Sequence, residues 1–131
     1  MRFMVLVKEN EQSEAGELPD TTIVDEMGKY NEQLSKAGVL LALDGLYPSS
    51  KGARVRFDGA KRTVIDGPFA ETKELIAGFW LLQCKSREEA IEWVKRAPFG
   101  GGVELEVRQV FEPDDFMAQV SELRNENAST R

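Results

Sequence analysis

The chain has 131 residues, 41% hydrophobic and 31% charged, which is typical of one globular domain with its own core and excludes two full-sized domains. Its net charge of −6 argues against nucleic acid as a direct partner, because phosphate binding depends on positive charge. The sequence contains no histidine and a single cysteine, Cys84, so internal disulfides, histidine zinc sites and histidine-based catalysis are excluded, and we predict no metal and no cofactor.

The first part of the chain predicts a strand, a loop and a helix. Residues 2–8 form a short apolar segment, typical of a central strand with both faces covered. Residues 9–19 lack periodicity and are predicted to form a long loop. Beyond them, apolar side chains recur at helical spacing, which predicts a helix with Asp20 or Thr21 as its N-cap and Gly38 just past its C-terminus. Its inward face comprises Ile23, Met27, Tyr30, Leu34 and Ala37.

Residues 39–46 predict a second strand, and a β-hairpin follows it. Two β-leaning segments, residues 53–57 and 60–65, flank Asp58-Gly59, a dipeptide that favours a two-residue turn because it tolerates positive φ. The hairpin carries cationic side chains at Arg54, Arg56, Lys61 and Arg62. Such cations are usually solvated, although the first two can also hold an anionic group.

Residues 66–74, with the sequence DGPFAETKE, combine a chain reversal with several ionisable side chains. Gly67 permits φ values that other residues resist and Pro68 fixes its own φ, so we predict a shaped loop in which Phe69 is an apolar anchor. Asp66 has two interpretations, a turn residue that caps nearby backbone or a carboxylate that a rigid loop displays in a pocket. The sequence leaves both open.

The second half of the chain repeats the pattern of strand and helix. Residues 75–84 form its most apolar run, which predicts a buried strand at the centre of the sheet and is too short to cross a membrane. Ser86 and Glu89 have the spacing of a capping box and open a helix. The inward side chains of that helix are Ala90, Ile91, Val94 and Ala97. The glycine run 100–102 lacks the lysine of a phosphate-binding P-loop, so we interpret it as flexible.

The chain closes with a strand and a helix. Residues 103–111 alternate in polarity, which predicts a strand with Val103, Leu105 and Val107 inward. From residue 112 onward, apolar side chains at helical spacing predict a short C-terminal helix that packs on the domain or on a partner and frays at its end. They are Phe116, Met117, Val120 and Leu123. No signal-peptide pattern opens the sequence, so we expect a cytoplasmic protein.

The order of these elements is strand, helix, strand, hairpin, strand, helix, strand, which matches a ferredoxin-like split βαβ arrangement. The predicted fold class is therefore α+β, with two helices on one face of a mainly antiparallel sheet, an inserted β-hairpin and a C-terminal helix. The other sheet face would be uncovered, which predicts a homodimer with its sheets face to face and a ligand cavity between them.

Several segments resemble the DGPF-domain branch of the YCII-related proteins. They are DGPFAETKE at 66–74, GFW at 78–80, EEAIEW at 88–93, EVRQVFEPDDF at 106–116 and the stretch 30–50. The resemblance covers residues 1–116 and implies a dimeric α/β-barrel of ferredoxin-like subunits, leaving residues 117–131 as a C-terminal helix and a frayed tail. Small YCII-like relatives are thought to use a histidine–aspartate pair between the sheets, which this chain cannot form because it has no histidine.

Two functions are compatible with these residues. In the first, the chain is a binding or accessory domain for an unknown small molecule, and the resemblance implies association with an extracytoplasmic-function sigma factor. In the second, it is an enzyme of small-metabolite chemistry in which Asp66 acts as acid or base without histidine or metal. The candidate ligand-binding residues beside Asp66 are Arg54, Tyr30, Phe69 and Lys73. The missing histidine and cysteine chemistry favours the first function.

Overall fold

The computed structural model describes residues 1–129, which form two antiparallel sheets and four α-helices. In chain order the elements are β1 (Arg2–Lys8), α1 (Glu11–Glu14), α2 (Thr21–Lys36), β2 (Leu40–Gly45), β3 (Ala53–Asp58), β4 (Lys61–Asp66), β5 (Ile76–Gln83), α3 (Arg87–Lys95), β6 (Leu105–Gln109) and α4 (Pro113–Ser129). Short 3₁₀ turns at Ser49–Lys51 and Thr72–Glu74 lie on either side of the β3–β4 hairpin. This order confirms the predicted α+β class.

The main sheet has the strand order β2-β5-β1-β6, and every neighbouring pair is antiparallel. β1 and β5 are central, as their apolar sequences predicted, because an inner strand is shielded by its neighbours on both edges. Val5 of β1 lies opposite Trp80 of β5 and Val107 of β6. These three side chains therefore share one face of the sheet.

That face is covered by α2 and α3, and the core lies between them and the sheet. Phe3, Val5 and Leu82 of the strands meet Leu34 of α2 and Ala90 of α3, and none of these side chains is more than 1% exposed. Burying large apolar side chains of this kind contributes about 1.5–3 kcal/mol each. The side chains that the period-two pattern of β1 and the helical pattern of α2 predicted to be buried thus pack together in one core.

The opposite face of the main sheet has no comparable cover among the described residues. Met4 and Leu6 of β1 alternate with the buried residues and lie across from Leu81 and Phe79 of β5. All four side chains are only half buried. This set, which we call the uncovered face, leaves apolar surface in contact with solvent.

The ends of α2 lie where the sequence predicted them. The Asp20 carboxylate accepts hydrogen bonds from two N–H groups of the first turn, at 2.6 and 3.3 Å, and Gly38 ends the helix with a φ of +74°. The predicted inward face is right only in part, since Tyr30 and Leu34 are buried but Ile23 is 41% exposed. The first turns of α2 therefore extend past the core.

Residues 9–19 contain a helix where the sequence predicted only a loop. The Asn10 side chain accepts a hydrogen bond from the Ser13 N–H at 2.8 Å, and the Ser13 hydroxyl accepts one from the Asn10 N–H at 3.1 Å. This reciprocal capping stabilises α1, which is too short to show a helical period in the sequence. The loop prediction is wrong for this segment.

The start of α3 and the start of β6 also differ from expectation. Ser86 caps α3 by accepting the Glu89 N–H at 3.1 Å, but the Glu89 carboxylate accepts from the Lys85 N–H at 2.8 Å instead of from Ser86. Val103 precedes β6 and is 37% exposed rather than inward. The chain turns at Gly102, which has a φ of +85°, and it enters the sheet only after Val103.

β3 and β4 form a separate two-stranded sheet. Asp58 pairs with Lys61, so the turn residues are Gly59 and Ala60 rather than the predicted Asp58-Gly59. Gly59 takes the position that requires positive φ, at +59°, while the aspartate stays in the extended strand. The hairpin was predicted correctly and its turn was one residue out.

α4 is anchored at its start and exposed along its length. The Arg2 guanidinium donates to the Glu112 carboxylate at 2.8 and 3.1 Å, and this bond holds the pKa of Glu112 below its usual range. Phe116, Met117 and Leu123 are each more than half exposed, and the Phe116 ring meets the Phe111 ring edge to face with centroids 6.1 Å apart. Because α4 begins at Pro113 and continues to Ser129, it spans the predicted boundary at 116/117. The predicted frayed end beyond it, residues 130–131, lies outside the described part.

Candidate functional site

The loop that follows β4 is held by the 3₁₀ turn at Ser49–Lys51. The Gly67 N–H donates to the Gly52 carbonyl at 3.0 Å, and the Phe69 N–H donates to the Ser49 hydroxyl at 3.0 Å. The Ser49 hydroxyl in turn donates to the Glu14 carboxylate of α1 at 2.9 Å. A Cβ at Gly67 would overlap the Ser49 carbonyl oxygen, so this position needs glycine for space and not for positive φ.

Asp66 lies at the end of β4, opposite Ala53 of β3. Its side chain is exposed and makes no hydrogen bond or ion pair with a described residue. The capping interpretation required a nearby N–H group, but the Phe69 N–H is bonded to Ser49 instead. The Asp66 carboxylate is therefore displayed to solvent, and no wall of the subunit encloses it as a pocket would.

Two of the predicted ligand-binding residues, Arg54 and Phe69, lie together. The Arg54 guanidinium carbon is 3.8 Å from the centre of the Phe69 ring, a cation–π arrangement. Arg54 belongs to β3 and is exposed, while Phe69 is half buried. The stack holds the guanidinium beside the loop, and Arg54 as a whole remains exposed to solvent.

Tyr30 is in the core, away from these residues. Its hydroxyl donates to the Trp93 carbonyl at 2.6 Å, and its ring meets Trp80 edge to face with centroids 5.8 Å apart. Burial raises the pKa of Tyr30 to about 12. The side chain is 5% exposed and its hydroxyl is already engaged, so the subunit presents no face of Tyr30 to a ligand.

Lys73 lines a cavity of about 530 Å³ at the end of the main sheet. The cavity is bounded by the end of β1, the 3₁₀ turn at Thr72–Glu74 and the segment that leads into β6. In its wall the Lys8 ammonium pairs with the Glu106 carboxylate at 3.4 Å, whereas Lys73 has no ion pair among the described residues. Because Glu106 lies opposite Leu6, the cavity adjoins the uncovered face.

Glu9 is a wall residue of this cavity that the sequence analysis missed. It is 7% exposed, and its side chain makes no hydrogen bond or ion pair with a described residue. No described side-chain polar atom is fully buried without a partner, so the unbonded Glu9 oxygens keep accessible surface, and Glu9 lines the cavity. The available signal was an acidic residue directly after an apolar strand, but the lack of periodicity in residues 9–19 predicted only a loop there.

Other reactive groups do not form a second site in the described part of the chain. No three or more of its histidine, cysteine, aspartate or glutamate side chains are arranged to hold a metal ion. The Cys84 thiol is buried, and burial raises its pKa, which disfavours the reactive thiolate. None of the helices in this part combines the length and apolar character needed to span a membrane.

The strand order and the polar cavity at the sheet end define a ferredoxin-like α+β domain with a candidate small-molecule site. The chain belongs to the YCII-related domain family, which it matches over residues 1–114. One curated relative, the uncharacterized protein R00369 of Rhizobium meliloti (strain 1021), is 29% identical over 101 residues, which cover 74% of this chain and 82% of the relative.

One solved structure is also similar to this chain. It is 5-chloro-2-hydroxyhydroquinone dehydrochlorinase (TftG) from Burkholderia phenoliruptrix AC1100, in complex with 2,5-dihydroxybenzoquinone. The two chains are 13% identical and superpose with a TM-score of 0.45, over 88% of this chain and 99% of that chain.

Proposed function

We propose that this chain is a small-molecule-binding domain that works as a homodimer, with the uncovered faces packed together as a dimeric α/β-barrel. The observation that carries the proposal is that a polar cavity, with a nearly buried carboxylate in its wall, adjoins the uncovered face. A second subunit on that face would enclose the open side of the cavity. Sites that exclude water in this way strengthen polar recognition of a ligand.

Packing between the uncovered faces is supported by their composition. Met4 and Leu6 lie across from Leu81 and Phe79 in one apolar patch, and such patches on isolated domains usually mark an interface. In a two-fold symmetric dimer the same patch on each subunit forms the interface, so one apolar surface per chain is enough to build it.

The dimer is tested by Leu81→Arg. A guanidinium placed in an apolar interface would be desolvated without a partner, so we expect the variant to be monomeric where the wild type is dimeric, with at least roughly a hundredfold weaker association. Sedimentation velocity over a range of concentrations measures this. Val24→Arg is the matched control, because Val24 is 52% exposed on α2, and it should leave the dimer intact. A monomeric wild type, or a dimeric Leu81→Arg, would refute the face-to-face arrangement.

A regulatory form of this function is supported by the DGPFAETKE loop. We assign the chain to the DGPF branch on that motif, and domains of this type resemble those found alongside extracytoplasmic-function sigma factors. We therefore propose a cytoplasmic accessory domain whose ligand alters its affinity for such a factor. Direct titration with a purified sigma factor of this class, with and without ligand, measures the coupling.

The alternative is a small-metabolite enzyme in which Asp66 is the acid or base. It is favoured by the exposed and unbonded carboxylate of Asp66 at the end of β4. The Arg54 guanidinium, stacked on Phe69, can bind an anionic substrate group. In this form of the proposal the partner subunit must cover Asp66, because the subunit alone leaves it in solvent.

Asp66→Asn distinguishes the two functions. The side chain is exposed and unbonded, so the free energy of unfolding should change by no more than about 0.5 kcal/mol, and ligand binding should be retained. An enzyme that used Asp66 for proton transfer would instead lose about a hundredfold or more of its turnover. Urea unfolding and turnover across a metabolite panel give both quantities, with Glu71→Gln, an exposed change in the same loop, as control. Selective loss of turnover in Asp66→Asn would establish the enzyme and reject the non-catalytic role.

A further inference from the structure

We infer that the cavity beside Lys73 binds a small molecule with a protonated amine, which Glu9 holds, and an anionic group, which Lys73 holds. This inference rests on the proposed binding function, but it does not require the dimer. It assigns a site at the junction of β1, β6 and the 3₁₀ turn at Thr72–Glu74. Of its wall residues, only Lys73 was a ligand-binding candidate from the sequence, and there it was expected beside Asp66.

The position of Glu9 is the first argument. Transferring a carboxylate out of water is costly unless a partner compensates, and a native protein rarely retains such a group without one. Glu9 is 7% exposed, and no described side chain bonds or pairs with it. Its oxygens are not fully buried and Glu9 lines the cavity, so a group that enters the cavity can pair with them.

The charges of the wall define that group. Glu106 is satisfied twice, by Lys8 at 3.4 Å and by Arg108 at 3.5 Å. Glu9 remains without an ion pair among the described residues, and the wall as a whole has four carboxylates against two ammonium groups. The local field therefore favours a cation over an anion at Glu9. An ammonium group, with three donors, also suits a carboxylate better than a neutral hydroxyl does.

The charge of Lys73 determines which chemical group we expect at the other end of the ligand. This ammonium has no ion pair among the described residues, so its charge is available to an anionic group. Asn10 and Thr72 add an amide and a hydroxyl to the same wall for hydrogen bonding. The volume of about 530 Å³ is within the range of small-molecule sites, and no group of three acidic or thiol side chains in the described chain is arranged for a metal ion. An organic zwitterion fits these features best.

A matched four-carbon series tests the inference. The probes are 4-aminobutanoate, butylamine and butanoate, titrated into the wild type while the backbone N–H signals of residues 9, 10, 72 and 73 are followed by NMR. We expect 4-aminobutanoate to bind more tightly than butylamine, and butanoate to bind most weakly. The shifts should concentrate at the four cavity residues.

Two variants separate the ends of the ligand. Glu9→Gln keeps the shape of the side chain but removes its charge, and should weaken both amines by about ten- to a hundredfold. Lys73→Gln should reduce the affinity for 4-aminobutanoate to that for butylamine. Glu17→Gln, an equal change of charge at an exposed position outside the cavity, should leave all three affinities unchanged. Thermal unfolding of each variant confirms that the fold is retained.

Each contrary result is decisive. The inference is overturned if neither amine binds, or if butanoate binds as tightly as butylamine. It is also overturned if Glu9→Gln is folded and binds butylamine with unchanged affinity. Equal affinity of the wild type for butylamine and 4-aminobutanoate would overturn the role of Lys73. The proposed function fails separately, if a broad panel of neutral and anionic metabolites also produces no shift anywhere on the protein.

Discussion

Gly67→Ala is expected to destabilise the protein by about 3 kcal/mol, or roughly 10 °C in melting temperature. The added Cβ would overlap the carbonyl oxygen of Ser49, which is backbone and cannot rotate away. To relieve the overlap the loop must move from the 3₁₀ turn at Ser49–Lys51, which breaks the bonds from the Gly67 N–H to Gly52 and from the Phe69 N–H to Ser49. Urea unfolding followed by circular dichroism measures the change.

The control for this prediction is the same substitution at Gly28. That glycine is inside α2 and a Cβ there meets no atom within 4 Å, so alanine should raise the free energy of unfolding by about 0.5–1 kcal/mol through its higher helix propensity. If Gly67→Ala lowers the free energy of unfolding and Gly28→Ala raises it, contact with Ser49, and not backbone entropy, decides the effect at position 67. If Gly67→Ala is as stable as the wild type, the loop is not locked as the structure shows.

Tyr30→Phe is expected to remove an alkaline loss of stability. The pKa of Tyr30 is about 12 in the folded protein against an ordinary value of 10.0, because burial disfavours the phenolate. Below pH 10 both states keep the proton. Above it the unfolded chain releases its proton while folded Tyr30 keeps its own, so unfolding becomes easier, by up to about 1.4 kcal/mol per pH unit, until about pH 12.

In Tyr30→Phe this part of the slope should vanish. At pH 7 the loss of the hydroxyl leaves the Trp93 carbonyl with the Arg96 N–H as its donor, and the lost hydrogen bond costs about 1 kcal/mol. Tyr47→Phe should retain the wild-type slope, because Tyr47 is 76% exposed. Urea midpoints from pH 8 to pH 11, taken for all three proteins, test this expectation. Equal slopes for Tyr30→Phe and the wild type would mean that the phenol is solvated, and would return Tyr30 to the list of ligand-binding candidates.

The sequence alone determined the elements whose signals are local. The alternation of Phe3 and Val5 predicted a strand of the main sheet, and the spacing of Tyr30 and Leu34 predicted the buried part of α2, because each signal depends on neighbours within a few residues. The strand order and the uncovered face follow from the same patterns through the ferredoxin-like arrangement. Local capping rules likewise limited the start of α2 to Asp20 or Thr21, and Asp20 is the residue that caps it.

Contacts between distant segments were decided only by the tertiary structure. Gly67 is needed because Ser49 approaches it from another loop, and local backbone rules assigned it a different reason. Glu9 became a site residue because the fold brings it beside Lys73 and Glu106, which lie far along the chain. Hydrophobic periodicity indicates which face of an element is buried, but it does not indicate which polar side chains from separate segments lie close together. Binding sites are formed by such side chains, so their composition depends on the tertiary structure.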